Sequence, residues 1–225
     1  MKARMMLVLG TFSLAAMYAF WQGGWMPSAA AGDEAPTISA AARTSLMVAG
    51  IGDAEYVGSN KCKKCHLAEH KSWEKTRHGT AMETLKPGNA TEAKTKYKLD
   101  PAKDYTKDAT CVACHTVGFG KPGGYQMPAD EEAAKKMKNL EGVGCEVCHG
   151  AGGNYIAKHE EIMKSKGKYT DADMAAVGMI KVEAAVCKTC HESDKGPTFD
   201  ASKPFDFEKM KEKGVHEHTP LKQKG

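Results

Sequence analysis

The chain has 225 residues, with 32 Lys and Arg against 28 Asp and Glu, for a formal charge of +4. Its length suits one or two domains, and lysines scattered among acids read as a solvated surface, which gives no ground for a nucleic-acid partner. From Gly32 onward Leu, Ile, Val and Phe total 25, which is about 13% of that stretch against the roughly 20% below which disorder is suspected, so an ordinary aliphatic core is excluded.

In chain order, Lys2 and Arg4 precede an apolar run from Met5 to Phe20, and Ser28-Ala29-Ala30-Ala31 offers a small-residue cleavage site. Residues 1–31 therefore read as a secretory signal peptide. The competing reading is an uncleaved membrane anchor: no charge stands between Arg4 and Asp33, and Trp21 and Trp25 suit a membrane interface. Residues 32–56, rich in Ala, Gly, Ser and Thr, read as a flexible arm, and 57–225 as the functional domain.

Within that domain, Lys63 to Leu85 has the composition of one helix. Asp130 to Leu140 is a second, with Asp130 as N-cap and Gly142 as its stop. Asn154 to Lys166 is a third, ended by Gly167. Thr170 and Asp173 form a capping box that opens a short helix, and Phe205 to Lys213 is a last helix stopped by Gly214. Gly118 to Gly124 and Gly150 to Gly153 read as loops. The expected fold class is mainly α, with short helices, long loops and little or no β.

Onto this pattern fall four copies of Cys-x-x-Cys-His: Cys62/Cys65/His66, Cys111/Cys114/His115, Cys145/Cys148/His149 and Cys187/Cys190/His191. They contain every cysteine of the chain. This is the attachment motif of c-type haem. Two thiols on one turn reach the two vinyl groups of one porphyrin, and the adjacent histidine is the proximal iron ligand. Zinc ribbons and redox dithiols share the paired cysteines but need no histidine after the second. Four covalent haems are expected, with electron transfer as their work and redox proteins as partners. The porphyrins themselves supply the missing core, and their propionates turn the small formal excess negative. The unequal gaps between motifs argue against a solenoid. Five glycines crowd the third motif, Gly142, Gly144, Gly150, Gly152 and Gly153, and are expected to let a porphyrin approach the backbone. Lone carboxylates such as Glu69, Glu146 and Glu183 read as solvated or lysine-paired, so no further catalytic constellation is visible.

Five histidines remain as candidates for the sixth iron position: His70, His78, His159, His216 and His218. Methionine is the other possible ligand, but most methionines outside the leader sit in amphipathic spacers and read as packing. Bis-histidine ligation is expected, with low potentials. His70 lies four residues after His66 on the same helical face, so it cannot reach the far side of that haem. It must look outward, toward another haem, another subunit or nothing. His216 and His218, two apart, point different ways on a helix, so only one meets a given iron.

Ser72-Trp73, His78, Ala81-Met82-Glu83 and Leu85-Lys86-Pro87 resemble the segment after the first haem in the tetrahaem cytochrome c-554 family. Leu99 to Thr106, Gly118-Phe-Gly120, Gly123-Gly-Tyr125, Gly142 to Gly150 and the ending Phe207 to His218 are similar to it too. The resemblance spans about residues 56 to 218. It implies a mainly helical fold with haems packed in stacked pairs. It implies His159 as distal ligand of the first haem, His216 of the third and His78 of the fourth, and a five-coordinate second haem on His115. It also implies a periplasmic carrier that takes electrons from hydroxylamine oxidoreductase, with a possible reaction of the open haem with nitric oxide. Three features depart: His70 is extra, the arm is longer and the tail after His218 is shorter. A long arm and a spare ligand also resemble filament-forming tetrahaem cytochromes, where a histidine such as His70 crosses a subunit boundary. The carrier therefore has two competitors: self-assembly into an extracellular conductor, and a nitrogen-oxide-reducing enzyme at the second haem. Mass spectrometry of the mature protein is expected to give the polypeptide cleaved near Ala31 plus four haems. A lower haem count, or zinc, overturns the haem reading.

Overall fold

The computed structural model describes residues 54–194, 196–211, 213, 215–221 and 223–225. The expected leader, and the arm up to residue 53, lie outside the described residues. Ten short helices follow: α1 (Ser59–Lys63), α2 (Leu67–Trp73), α3 (Thr91–Lys96), α4 (Ala109–His115), α5 (Glu131–Met137), α6 (Cys145–His149), α7 (Gly153–Ser165), α8 (Asp171–Ala175), α9 (Ala184–His191) and α10 (Phe207–Met210). Two 3-10 turns, Ala81–Leu85 and Lys138–Leu140, complete them. Among the described residues there is no strand, only isolated bridges at Thr116 with Glu141 and Tyr169 with Lys224.

The start signals act where the sequence puts them. The Asp130 carboxylate accepts from Ala133 N–H at 2.8 Å and opens α5, and Asp108 does the same for α4 through Thr110 N–H at 3.0 Å. Thr170 and Asp173 close a reciprocal capping box on α8. Helix α7 ends in a left-handed Lys166, just before Gly167.

The single helix expected from Lys63 to Leu85 is not formed. His66, at φ −111° and ψ 54°, leaves the helical region and separates α1 from α2. After Trp73 the chain folds back. Thr76 Oγ1 donates to Trp73 O at 2.7 Å and accepts from Gly79 N–H at 3.1 Å. A Cβ on Gly79 would stand 2.4 Å from Trp73 O, so only glycine admits this fold-back. The last helix is also shorter than expected, because the Asp206 carboxylate caps it at Lys209 N–H, 3.1 Å away; Gly214 lies outside the described residues.

Two small apolar clusters exist. Met82, Leu85, Tyr105, Val112, Val117, Tyr125 and Leu140 form one, and Tyr155, Ile162, Tyr169 and Met174 the other. Large apolar side chains that an ordinary core would bury, including Leu67, Met163, Ile180, Val182 and Phe199, stand exposed. Clusters this small cannot offset the chain entropy of a domain. Circular dichroism of protein made without haem attachment is expected to show little helix and no cooperative melt; a well-folded apoprotein would contradict a porphyrin-supplied core.

Candidate haem sites

Cysteines three apart on a helix lie on one face, and the motifs use this. The second motif ends α4, the third is the whole of α6, and the fourth ends α9. The first differs: Cys62 lies in α1, Cys65 in the following turn, and His66 caps α2. In space the motifs are not in chain order. The Cys62 thiol faces Cys145, Cys148 lies near Cys187 and Cys190, and Cys190 faces Cys114. Helix α6 touches both α1 and α9. The order is therefore first, third, fourth, second.

Three proximal histidines have another histidine ring before them. His66 and His159 have centroids 5.6 Å apart, His78 and His191 6.1 Å, and His149 and His216 6.4 Å. A metal–imidazole bond of about 2.0 Å on each side, with each ring centre about 1 Å further back, asks for roughly 6 Å between centroids. All three pairs leave the room of one iron. Burial pushes His115, His149, His159 and His191 below the ordinary imidazole range, which keeps them neutral, the form that binds metal. His149 Nδ1 is buried without a protein partner, a donor that a haem carboxylate can take.

His115 is different. Among the described residues no aromatic ring pairs with its own. Its Nδ1 lies 2.8 Å from Ala81 O and 3.5 Å from Thr84 Oγ1. Donation to the carbonyl fixes the ring and leaves Nε2 for iron.

The two spare histidines depart from expectation. His70 does not look outward: it is 5% exposed, packed edge-on against Trp73 at 5.3 Å, with Nδ1 3.4 Å from Glu74 Oε1. A ligand that crosses to another subunit needs a surface, and His70 has none. It is brought to no proximal histidine on the far side of an iron. His216 and His218 lie on a non-helical segment, and their rings are 4.7 Å apart.

The third motif ties the others together. Glu146 is 1% exposed and, among the described residues, pairs with no lysine, contrary to the surface role expected of it. Its carboxylate accepts from Gly58 N–H and Gly152 N–H, each at 2.7 Å, and from Val57 N–H at 3.0 Å. Just before it, Gly142 N–H donates to His115 O and Val143 N–H to His78 O, both at 2.9 Å. Trp73 Nε1 donates to Val143 O at 2.8 Å. The glycines here admit protein backbone and side chains at close range. A Cβ on Gly142 would meet Gly79 O at 2.8 Å, and one on Gly153 would meet Glu55 O at 2.9 Å. The sequence signal for Glu146, a carboxylate inside a motif ringed by glycines, is visible only in retrospect.

A family model described as cytochrome c554 and c-prime matches residues 61–150. Cytochrome c-554 of Nitrosomonas europaea is 42% identical over 189 residues, covering 75% of this chain and 78% of the relative. The chain belongs to the cytochrome c-554 family. The reduced state of cytochrome c554 from Nitrosomonas europaea superposes with a TM-score of 0.66 at 39% identity, over 76% of this chain and 89% of that one. As a cytochrome c-554 family member the protein carries covalently bound c-type haems and transfers electrons. The relatives support the carrier and lend nothing to the filament or enzyme readings. Among the described residues no helix is long and apolar enough to cross a membrane.

Replacing Glu146 by Ala strands three backbone donors, so a loss of at least about 3 kcal/mol is expected. Denaturant unfolding of the holoprotein measures it, and Glu146→Gln, which keeps one acceptor oxygen, is expected to fall between.

Proposed function

We propose that this is a periplasmic tetrahaem electron carrier, exported by a leader cleaved near Ala31, with three bis-histidine haems and one open haem. Cys62/Cys65, Cys111/Cys114, Cys145/Cys148 and Cys187/Cys190 hold the porphyrins. His66 with His159, His149 with His216 and His191 with His78 hold the first, third and fourth irons. His115 alone holds the second. The observation that carries this reading is the contrast between three facing imidazole pairs, at 5.6, 6.4 and 6.1 Å, and one unpaired ring.

The spatial order of the motifs makes the first and second haems the two ends of a path that runs through the third and fourth. Haem supplies the one-electron chemistry; the chain supplies spacing, neutral imidazoles and a low dielectric. Two imidazoles stabilise ferric iron better than imidazole with thioether, which keeps the three paired haems at low potential. An electron can enter at one end and leave at the other, so two redox-partner proteins can dock on different faces.

Electron paramagnetic resonance of the oxidised protein is expected to show one high-spin iron beside three low-spin irons. His78→Ala, His159→Ala and His216→Ala should each turn one further iron high-spin and able to bind carbon monoxide when reduced. A variant with an unchanged low-spin spectrum removes that histidine from the ligand set.

A further inference from the structure

His216 arrives on a C-terminal segment that belongs to no helix. The Ser72 hydroxyl of α2 accepts from Glu217 N–H at 2.8 Å, a contact 145 residues apart in sequence. Next to Ser72 on that helix, Glu69 has its carboxyl partly desolvated, which raises it, but the Thr219 hydroxyl and backbone N–H turned toward it hold it below the ordinary carboxylate range. The same Glu69 carboxylate lies 3.9 Å from His66 Nδ1. Further on, Tyr169 N–H donates to Gln223 O at 3.1 Å, Gly225 N–H donates to Tyr169 O at 2.8 Å, and Lys224 Nζ pairs with Asp171 at 2.7 Å. Tyr169 meets the His159 ring edge-on at 5.9 Å. The segment is thus fastened on both sides of the first haem pair, beside His66 at one end and beside His159 at the other. Between the segment and α2 lies an open cleft of about 700 Å³, bordered by Ala68, Ser72, Thr76, Val215, His216 and His218. Ser72 is the hydrogen-bonded tie across it.

We infer that residues 215–221 with 223–225 form a strap that seats His216 on the third iron, and that Ser72 is the positioning residue that sets its register. The inference rests on the ligand assignment above, because a strap needs an iron to serve. Its content is that the sixth ligand of the third haem hangs from the helix that follows the proximal ligand of the first. Among the described residues, His216 Nδ1 bonds to the neighbouring Glu217 O at 2.8 Å, a partner on the same segment, so the strap's fastening sets where Nε2 points. Among the described residues, the segment without the Ser72 tie has no backbone partner between Val215 and His218.

The test uses the full holoprotein in a His218→Ala background, because the His218 ring, 4.7 Å from His216, is placed to replace it. Into that background go Ser72→Ala, Ser72→Thr, removal of residues 219–225, and His216→Ala, each accepted only if mass spectrometry finds four haems. Spin state is read by electron paramagnetic resonance and carbon monoxide uptake of the reduced protein. Ser72→Ala is expected to add a second high-spin iron to that of the second haem, so that carbon monoxide uptake about doubles. Ser72→Thr, which keeps the hydroxyl, should restore the parent spectrum, and the truncation should behave as Ser72→Ala. If Ser72→Ala does not mature, the truncation alone decides. If the parent pattern survives both, while His216→Ala does add a high-spin iron, the strap is overturned and the ligand assignment stands. If His216→Ala adds none, the ligand assignment itself fails.

Discussion

The carboxylate of Glu146 is the contact on which the arrangement of sites depends. It lies inside the third haem motif, between the two cysteines, and is closed off from water. Burying a carboxylate is costly unless its lone pairs are met, and here backbone N–H groups meet them: Val57 and Gly58 on one side, Gly152 on the other. The first pair lies at the entrance to α1, which carries the first haem cysteine. The other lies at the entrance to α7, which carries His159. One side chain thereby sets two stretches of backbone, and with them the placing of the first motif and of the facing His159, from within the third motif.

The same economy recurs at the other haems. Residues Gly142 and Val143, leading into α6, take up the carbonyls of His115 and His78. Main-chain hydrogen bonds from one short segment thus fix His115 of the second motif and His78, whose ring faces His191 of the fourth. A protein with few aliphatic residues has little else with which to fix relative positions. Its apolar clusters lie beside the motifs, and the third motif acts as the joint between them.

The chemistry was legible in the sequence because attachment of haem demands fixed residues at fixed spacing. The pairing of His78, His159 and His216 was legible only through family resemblance, since no local rule links His159 to a motif ninety residues earlier. Helix caps at Asp130 and Thr170 were legible because capping is local. The break at His66 was not: residues 63–85 have the composition of a helix, and the non-helical turn at His66 and the fold-back at Gly79, which presents His78, override it. Glu146 was read as a solvated acid because its partners are backbone groups, which carry no residue signature. His70 was read as outward-facing from one helix face alone; the packing of Trp73 against Val143, which turns that face inward, involves a segment about seventy residues away. His216 and His218 were read as diverging because a helix was assumed where the chain forms none.

The span between Glu146 and its partners at Val57 and Gly58, 89 and 88 residues, has a consequence for the birth of the protein. Synthesis delivers the chain from its N-terminus, so the first two haem motifs emerge well before the acid that will lock the first in place. Until it arrives, those motifs belong to an open chain with no stable tertiary surroundings, and closing so long a loop is slow. That delay works in favour of cofactor attachment. The early cysteines stay accessible to the ligation machinery, and the domain can close only once the third motif is present.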